Sequence, residues 1–259
     1  MGGQLIAGGR VVTPGGVLDP GWVLVEGGAI SAVGTGAPPP AEEVVDATGA
    51  WVVPGFVDIH CHGGGGESFA GAEPDRVRRA VAAHRRHGTT TLLASLVSRP
   101  VPELARQVAE LAELVEDGLL TGIHLEGPFL STARCGAHDP AILRPPDEDA
   151  VNTLLAAGRG AVRMVTIAPE LDGALPAVKQ LVGAGVLAAI GHTDATEAQV
   201  LPAVDAGASV ATHLFNGMRP LHHREPGPIG TLLDDERVTV ELICDLVHVH
   251  PSVIRLAAR

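Results

Sequence analysis

The sequence has 259 residues, of which 46% are hydrophobic, and its mean hydropathy is +0.25. A chain of this size and composition buries a full core, which favours one large α/β domain with a small extra one. The formal net charge of −12 argues against a nucleic-acid binder and against a protein that binds an anionic membrane surface. No apolar run is long enough for a membrane span. Three widely spaced cysteines predict no disulfide framework, which fits a cytoplasmic protein with reduced thiols.

Residues 1–50 are predicted to form short strands separated by turns. The segments QLIAGGRVVTPGG, GWVLVEGGAISAVG and EEVVDATGAWVVPG alternate β-branched residues with Gly-Gly and Pro-Gly pairs. Such pairs between β-branched runs are typical of hairpins. We expect a small β-unit over residues 1–50 at the front of the chain.

From residue 51 the pattern changes to apolar strands that alternate with amphipathic helices, which predicts parallel βα units. Seven strands are predicted, at residues 55–63, 89–97, 119–127, 162–170, 186–193, 209–216 and 238–249. Predicted helices lie between most of them, at residues 74–88, 102–118, 147–158, 174–185 and 196–207, and a last one begins at residue 251. A loop rich in His, Arg, Gly and Pro precedes the seventh strand.

Seven strands are one fewer than a closed (β/α)8 barrel contains. Because the sequence stops inside the last predicted helix, we expect a barrel that lacks its final unit in a C-terminally truncated chain. The alternative is a complete, open, doubly wound sheet. We favour the barrel because polar residues follow nearly every strand, whereas a doubly wound sheet binds its ligand at one switch point.

Residue types that bind metals stand at the ends of four predicted strands. His60 and His62 form an HxH pair, and strand geometry projects residues i and i+2 to the same face while Cys61 points the other way. Glu126 follows the third strand, and a buried carboxylate there needs a positively charged partner. His192 and His213 each end a later strand. A single histidine at such a position is more often a packing residue, but the coincidence over several strands favours a metal site.

Several motifs make the chain similar to the N-acetylglucosamine-6-phosphate deacetylases of the amidohydrolase superfamily. They are PGFVDIHCHGGGG, GIHLEGPFL, GAHDP, IGHTDA, THLFNGM, REPG and CDLVHVHP, in family order from residue 52 to residue 251. The resemblance implies a (β/α)8 barrel over residues 51–259, incomplete at its C-terminus, with a small β-sandwich portion over residues 1–50.

The resemblance also implies a metal centre. Glu126, His192 and His213 correspond to the principal ligands, and His60 with His62 corresponds to a pair that holds a second metal in some members. We therefore expect one or two divalent ions per chain, Zn²⁺ foremost, with Fe²⁺, Mn²⁺ or Co²⁺ as alternatives.

The implied reaction is hydrolysis of the N-acetyl amide of N-acetylglucosamine 6-phosphate to glucosamine 6-phosphate and acetate. His138 and His248 would donate hydrogen bonds during catalysis or to the sugar. Other substrate contacts would come from Ala137, Asn216, Gly217 and Asp245. At position 246 a leucine replaces the family's glycine.

Arg224 resembles the arginine that reaches the phosphate from the neighbouring subunit of a homodimer. The family's general base is an aspartate in a Thr-Asp-Ala motif on the eighth strand, and no such motif follows residue 248. We therefore expect this polypeptide to be inactive and poorly folded by itself.

Two alternatives remain open at this stage. One is a related amidohydrolase, such as an N-acetylgalactosamine-6-phosphate deacetylase; ring hydrolases with a bridging modified lysine are disfavoured because the only lysine, Lys179, lies in a predicted helix. The other is a sugar-phosphate-binding barrel without catalytic activity. We expect surface or packing roles for His84, His87 and His124.

Overall fold

The computed structural model describes residues 3–258. These residues form two compact units, one that extends through Phe56 and one that begins at Val57. The division falls later than residue 50 because a short strand at Trp51–Val52 pairs with the first strand of the chain. No helix of the described part of the chain is long and apolar enough to cross a membrane.

The first unit is a five-stranded sheet. Its strands β1 to β3 form two antiparallel hairpins, and β4 and β5 pair in parallel with β1. The second hairpin turns at Gly27 and Gly28, whose φ angles of 59° and 81° are the left-handed values that a tight hairpin turn requires. The strands are β1 (Gln4–Thr13), β2 (Gly16–Glu26), β3 (Ala29–Thr35), β4 (Glu43–Asp46) and β5 (Trp51–Val52).

The second unit contains a seven-stranded sheet flanked by helices. Its strands are β6 (Phe56–Cys61), β9 (Thr89–Val97), β10 (Gly122–Glu126), β11 (Val162–Ile167), β12 (Leu187–Ile190), β13 (Val210–Ala211) and β14 (Thr239–Val240). A two-stranded hairpin of β7 (Gly63–Gly64) and β8 (Glu67–Ser68) follows β6. The helices are α1 (Pro74–Arg85), α2 (Val101–Glu116), α3 (Glu148–Gly158), α4 (Ala174–Gly183), α5 (Glu197–Asp205), α6 (Gly227–Asp234) and α7 (Pro251–Ala257).

The order of these seven strands decides between the two predicted folds. Neighbours in the sheet follow one another along the chain from β6 to β14, and the pairs from β9 to β14 are parallel. A doubly wound sheet reverses its strand order at a switch point, so that alternative is wrong. The sheet is the curled, sequential sheet of a (β/α)8 barrel with seven of its strands, as predicted.

Pleating gives the sheet two different faces. The outer face packs against the helices in one large core of buried aliphatic side chains, among them Leu96, Leu125, Ile190, Leu104, Leu154 and Leu181. Cys61 belongs to this outer core, as predicted from its position between the two histidines. The inner face has a small apolar layer of Leu93, Met164, Ala189 and Val210, and the residues nearer the strand ends are polar.

Two predicted elements differ from the structure. Residues 227–234 form α6 where a loop is predicted. The prediction missed this helix because Pro226, Pro228 and two glycines are typical of a loop, but the helix buries Ile229 and Leu232. The seventh strand is predicted to run to residue 249 but ends at Val240. The chain then turns around Asp245, whose carboxylate accepts hydrogen bonds from the backbone N–H groups of residues 247 and 248.

Candidate metal centre

The carboxyl ends of the sheet strands surround a cavity of about 850 Å³. This is the end of a (β/α)8 barrel where active sites are found. All five predicted metal residues line it: His60, His62, Glu126, His192 and His213. Residues from four strands, distant in the sequence, therefore meet in one cavity.

Glu126 lies at the centre of this group and is 4% exposed. Its Oε1 is 3.0 Å from Nε2 of His192 and 2.9 Å from Nε2 of His213. Its Oε2 is 3.0 Å from Nε2 of His62, and Nε2 of His60 lies 3.6 Å from Oε1. One carboxylate thus faces four imidazoles, three of them at Oε1 and one at Oε2.

The electrostatics of the group follow from this crowding. Burial alone would raise the pKa of Glu126, but hydrogen bonds from His138, His192, His213 and His60 hold that pKa well below its usual range. Burial also opposes protonation of His60, yet its contacts with Glu126 and with Glu241 raise its pKa to about 9. Without a metal ion, the cavity therefore keeps a carboxylate charge on Glu126 with a protonated His60 beside it.

Hydrogen bonds at the back of the rings fix which nitrogen faces the cavity. Nδ1 of His192 lies 2.8 Å from the carbonyl oxygen of Arg134, and Nδ1 of His62 lies 3.2 Å from the carbonyl oxygen of Ser95. A carbonyl only accepts, so in both rings Nδ1 carries a proton, and in the neutral ring the lone pair of Nε2 faces the cavity. This is the arrangement that metal-ligating histidines use.

His138 carries its proton on the other ring nitrogen. Its Nδ1 accepts a hydrogen bond of 3.3 Å from the backbone N–H of Ser98, so the neutral ring carries its proton on Nε2. That Nε2 lies 3.4 Å from Oε2 of Glu126 and lines the cavity. The geometry suits His138 to donate a hydrogen bond into the cavity rather than to ligate a metal.

Glu241 is a site residue that the sequence prediction missed. It lies directly after β14, and its Oε2 is 3.0 Å from Nδ1 of His60 and accepts a 3.3 Å hydrogen bond from the backbone N–H of His213. Its Oε1 is buried and has no hydrogen-bond partner among the described residues, and the same holds for Nδ1 of His213. The prediction missed Glu241 because the seventh strand is predicted to run to residue 249, which places Glu241 in the middle of the strand instead of at its end.

The backbone at the site is strained. His192 and His213 have φ angles of 47° and 29°, in a region that residues with a side chain rarely adopt. Gly217 approaches His192 so closely that a Cβ atom on it would lie 3.0 Å from Nδ1 of that ring. The surrounding structure therefore holds both histidines in costly conformations that aim them at Glu126.

The donor set fits a divalent metal ion. Two groups of three residues have ligand atoms within 4.8 Å of one another, His60–His62–Glu126 and Glu126–His192–His213, and Glu126 is common to both. Imidazole nitrogen and carboxylate oxygen suit Zn²⁺, Fe²⁺, Mn²⁺ and Co²⁺. A third cluster of Asp58, Cys61 and His84 is explained by internal hydrogen bonds, since Nε2 of His84 donates to the carbonyl of Gly63 at 2.8 Å.

The other predicted site residues divide into two sets. Ala137, Asp245 and His248 line the cavity with His138. Asp245 and His248 form a pair with 2.6 Å between Oδ2 and Nδ1, and the backbone N–H groups of residues 248 and 247 and the His248 ring lower the pKa of Asp245 to about 2. Asn216, Gly217 and Arg224 do not line the cavity. Arg224 is exposed, with one guanidinium nitrogen 3.0 Å from Nε2 of His223.

Comparison with known proteins identifies the family of the chain. Residues 51–259 match the amidohydrolase family, so the chain belongs to that family. N-acetyl-D-glucosamine-6-phosphate deacetylase from Mycobacterium smegmatis is 54% identical, with a TM-score of 0.94 over 98% of this chain and 67% of that structure. An Asp-to-Ala variant of that enzyme, solved in complex with N-acetyl-D-glucosamine-6-phosphate, gives a TM-score of 0.95 over 100% of this chain and 68% of the other.

Curated relatives agree with these structures. N-acetylglucosamine-6-phosphate deacetylase from Bacillus subtilis is 36% identical over 243 residues, which is 90% of this chain and 61% of the relative. N-acetylgalactosamine-6-phosphate deacetylase from Escherichia coli O157:H7 is 35% identical over 207 residues, 78% of this chain and 55% of the relative. The chain thus spans somewhat more than half the length of these curated relatives.

Proposed function

We propose that the whole protein is a metal-dependent deacetylase that hydrolyses N-acetylglucosamine 6-phosphate to glucosamine 6-phosphate and acetate in amino-sugar catabolism. The observation that carries this proposal is the position of Glu126 between two histidine pairs, His60 with His62 and His192 with His213, at the mouth of the barrel. Relatives with sugar-phosphate deacetylase activity support the choice of substrate.

In this proposal the five residues hold one or two divalent ions, with Zn²⁺ as the first candidate. A bound ion would lower the pKa of water and polarise the acetyl oxygen, which an amide needs because it is a poor electrophile. Glu241 orients His60, and the carbonyl of Arg134 orients His192. These contacts keep the ligand nitrogens fixed toward the cavity.

His138 is the group we propose to donate a hydrogen bond to the acetyl oxygen as negative charge develops on it. The Ser98 N–H keeps the proton on its Nε2, so this donor exists without any shift of tautomer. His248 is oriented by Asp245 and also lines the cavity, where we propose that it contacts the sugar together with Ala137.

We also propose that the protein acts as a homodimer in the cytoplasm, with the exposed Arg224 contributed to the neighbouring site for the phosphate. The three cysteines are free, which suits a reducing compartment. Asn216 and Gly217 remain proposed sugar-phosphate contacts. Gly217 already packs against His192, so a substrate contact there would also touch the metal centre.

A second candidate activity is deacetylation of N-acetylgalactosamine 6-phosphate, since a deacetylase of that substrate is 35% identical. The test uses the whole protein, expressed from the coding sequence that contains these residues. Acetate release from both epimers is measured before Zn²⁺ is removed, after its removal and after its return. Faster release from the gluco epimer supports the proposal, and faster release from the galacto epimer favours the second candidate. Metal-bound protein that binds either sugar phosphate without releasing acetate favours the non-catalytic alternative.

A further inference from the structure

A row of buried polar side chains crosses the sheet beneath the candidate metal residues. It consists of Ser95, His124, Thr166 and Thr212, which we call the polar layer, and none of them is more than 2% exposed. The first three lie on the inner face of β9, β10 and β11, and Thr212 directly follows β13. Consecutive members are hydrogen-bonded at 2.9, 2.8 and 2.8 Å.

The polar layer is unusual for the interior of a (β/α)8 barrel. Interior positions of a (β/α)8 barrel are mostly filled by bulky aliphatic side chains, as in the layer of Leu93 and Met164 just below. Buried polar groups are costly unless each one is hydrogen-bonded. Four of them in one continuous chain of hydrogen bonds therefore indicate a purpose other than filling space.

Ser95 connects the layer to the HxH pair. Its Oγ accepts a 2.9 Å hydrogen bond from the backbone N–H of Cys61, the residue between His60 and His62. Its carbonyl oxygen accepts a hydrogen bond of 3.2 Å from Nδ1 of His62. The ring of His124 stands edge-on to the ring of His60, with centroids 4.6 Å apart at 79°. The layer thus supports both histidines from below.

The other half of the metal centre is held differently. His192 is oriented by the carbonyl of Arg134, in a short 3-10 helix outside the layer. Thr212 precedes His213, but among the described residues its hydroxyl bonds only that of Thr166 and no group of His213. The polar layer therefore supports only the His60–His62 pair, while Glu241 contacts both halves, at Nδ1 of His60 and at the backbone N–H of His213.

We propose that Ser95, locked in place by the hydrogen-bonded chain through His124 and Thr166, is a positioning residue for the His60–His62 half of the metal centre. It touches neither metal nor substrate. Its Oγ, which Ser95→Ala removes, fixes the peptide between the two histidines, and its backbone carbonyl, which Ser95→Ala keeps, fixes the tautomer of His62. This inference rests on the proposed metal centre.

The test first isolates each half of the metal centre in its own variant and then removes the Ser95 hydroxyl from each. His213→Ala keeps the His60–His62–Glu126 half, and His62→Ala keeps the Glu126–His192–His213 half. Ser95→Ala is added to each, and the affinity of the metal-free chain for Zn²⁺ is measured in competition with a chelator. Loss of such an outer contact lowers metal affinity by about 10- to 100-fold, and we expect that loss only in the His213→Ala background.

A second pair of variants tests the role of the chain of hydrogen bonds. Thr166→Val keeps the shape but removes the hydroxyl, and Thr166→Ser keeps the hydroxyl. We expect weaker Zn²⁺ binding by the first half for Thr166→Val and near-normal binding for Thr166→Ser. Thr231→Val, which removes a buried hydroxyl that bonds the carbonyl of Gly227 within α6, is the matched control and should change neither half.

Hydrogen exchange at the Cys61 amide provides a readout that does not need a metal. Ser95→Ala should speed this exchange, since the amide loses its acceptor. Equal Zn²⁺ affinity with and without Ser95→Ala in both backgrounds, or an equal loss in both, overturns the inference. If the parent chain binds no Zn²⁺ at all, both the proposed metal-dependent function and this inference fail. If the parent chain binds Zn²⁺ but Ser95→Ala has no selective effect, only this inference fails.

Discussion

Nε2 of His192 lies 3.0 Å from Nε2 of His213. The carbonyl of Arg134 holds the proton of His192 on Nδ1, so the Nε2 atom of the neutral ring presents a lone pair. Two imidazole nitrogens and one oxygen of Glu126 that converge so closely need a proton or a cation between them. A divalent ion meets this need with three protein ligands, the number found in catalytic zinc sites.

The first prediction concerns the shared carboxylate. Glu126→Gln keeps the shape of the side chain but removes the charge that faces both histidine pairs, so Zn²⁺ binding by both halves should fall by more than about 100-fold. Added Zn²⁺ should stabilise the parent chain by about 2.7 kcal/mol when its free concentration is 100 times Kd. Thermal unfolding with and without Zn²⁺ measures this, and an equal shift of Tm in the Gln variant would contradict the prediction.

The second prediction concerns the support of His192. Asp194 makes ion pairs with Arg219 and with Arg134, and these two arginines lower the pKa of Asp194. Asp194→Asn should loosen Arg134, whose carbonyl orients His192, and weaken the His192–His213 half by about tenfold. Zn²⁺ titration of the variant checks this. Unchanged affinity of that half, or an equal loss in the His60–His62 half, would speak against it.

The third prediction concerns the phosphate. Arg99 is the only arginine or lysine among the described residues that line the cavity. It lies just after β9, its contact with Glu103 is 3.4 Å long and one guanidinium nitrogen donates to the carbonyl of Ser98 at 3.2 Å, which leaves other N–H groups of the guanidinium for an anion. A hydrogen bond to a charged group is worth about 1.5–3 kcal/mol, so Arg99→Gln should weaken binding of the sugar phosphate by about tenfold or more.

Calorimetry with N-acetylglucosamine 6-phosphate and with the unphosphorylated sugar measures the contribution of Arg99. Affinity for the unphosphorylated sugar should not change. Arg224→Gln is the companion variant, and a loss of sugar-phosphate affinity that appears only in dimeric protein is the result expected for an arginine supplied by a partner. If Arg99→Gln binds the phosphate as tightly as the parent chain does, Arg99 has no part in its recognition.

The fourth prediction concerns Leu246, which stands where the family resemblance has a glycine. Its φ angle is 65°, so the loop keeps the left-handed conformation although the residue is a leucine, 66% exposed. Such a conformation costs a residue with a Cβ about 1 kcal/mol or more. Leu246→Gly should therefore be more stable to urea than Leu246→Ala by about 1 kcal/mol, and equal midpoints would show that the strain is absent.

Much of the second unit was predictable because its local signals agree. Strands β9 to β12 are short apolar runs followed by polar residues, and each precedes a helix pattern closed by glycine. Helix α6 was missed because Pro226, Gly227 and Pro228 signal a loop, and only its packing through Ile229 and Leu232 stabilises it. Tertiary contacts of this kind are not visible in local propensity.

The site shows the same limit. The metal-binding residue types at strand ends pointed to a metal centre, since chemistry and position coincide there. Glu241 and Ser95 were missed because their roles depend on which neighbours the sheet register brings to them, His60 for one and Cys61 for the other. His124 was expected to have a surface or packing role, and it is fully buried between Ser95 and Thr166.

The most direct test of the metal centre is anomalous X-ray diffraction from crystals of the protein grown with Zn²⁺. We predict a peak about 2.0–2.2 Å from Nε2 of His192, Nε2 of His213 and one oxygen of Glu126, and a second one beside His60 and His62 at full occupancy. Crystals that contain Zn²⁺ elsewhere but show no peak within reach of Glu126 would contradict the account.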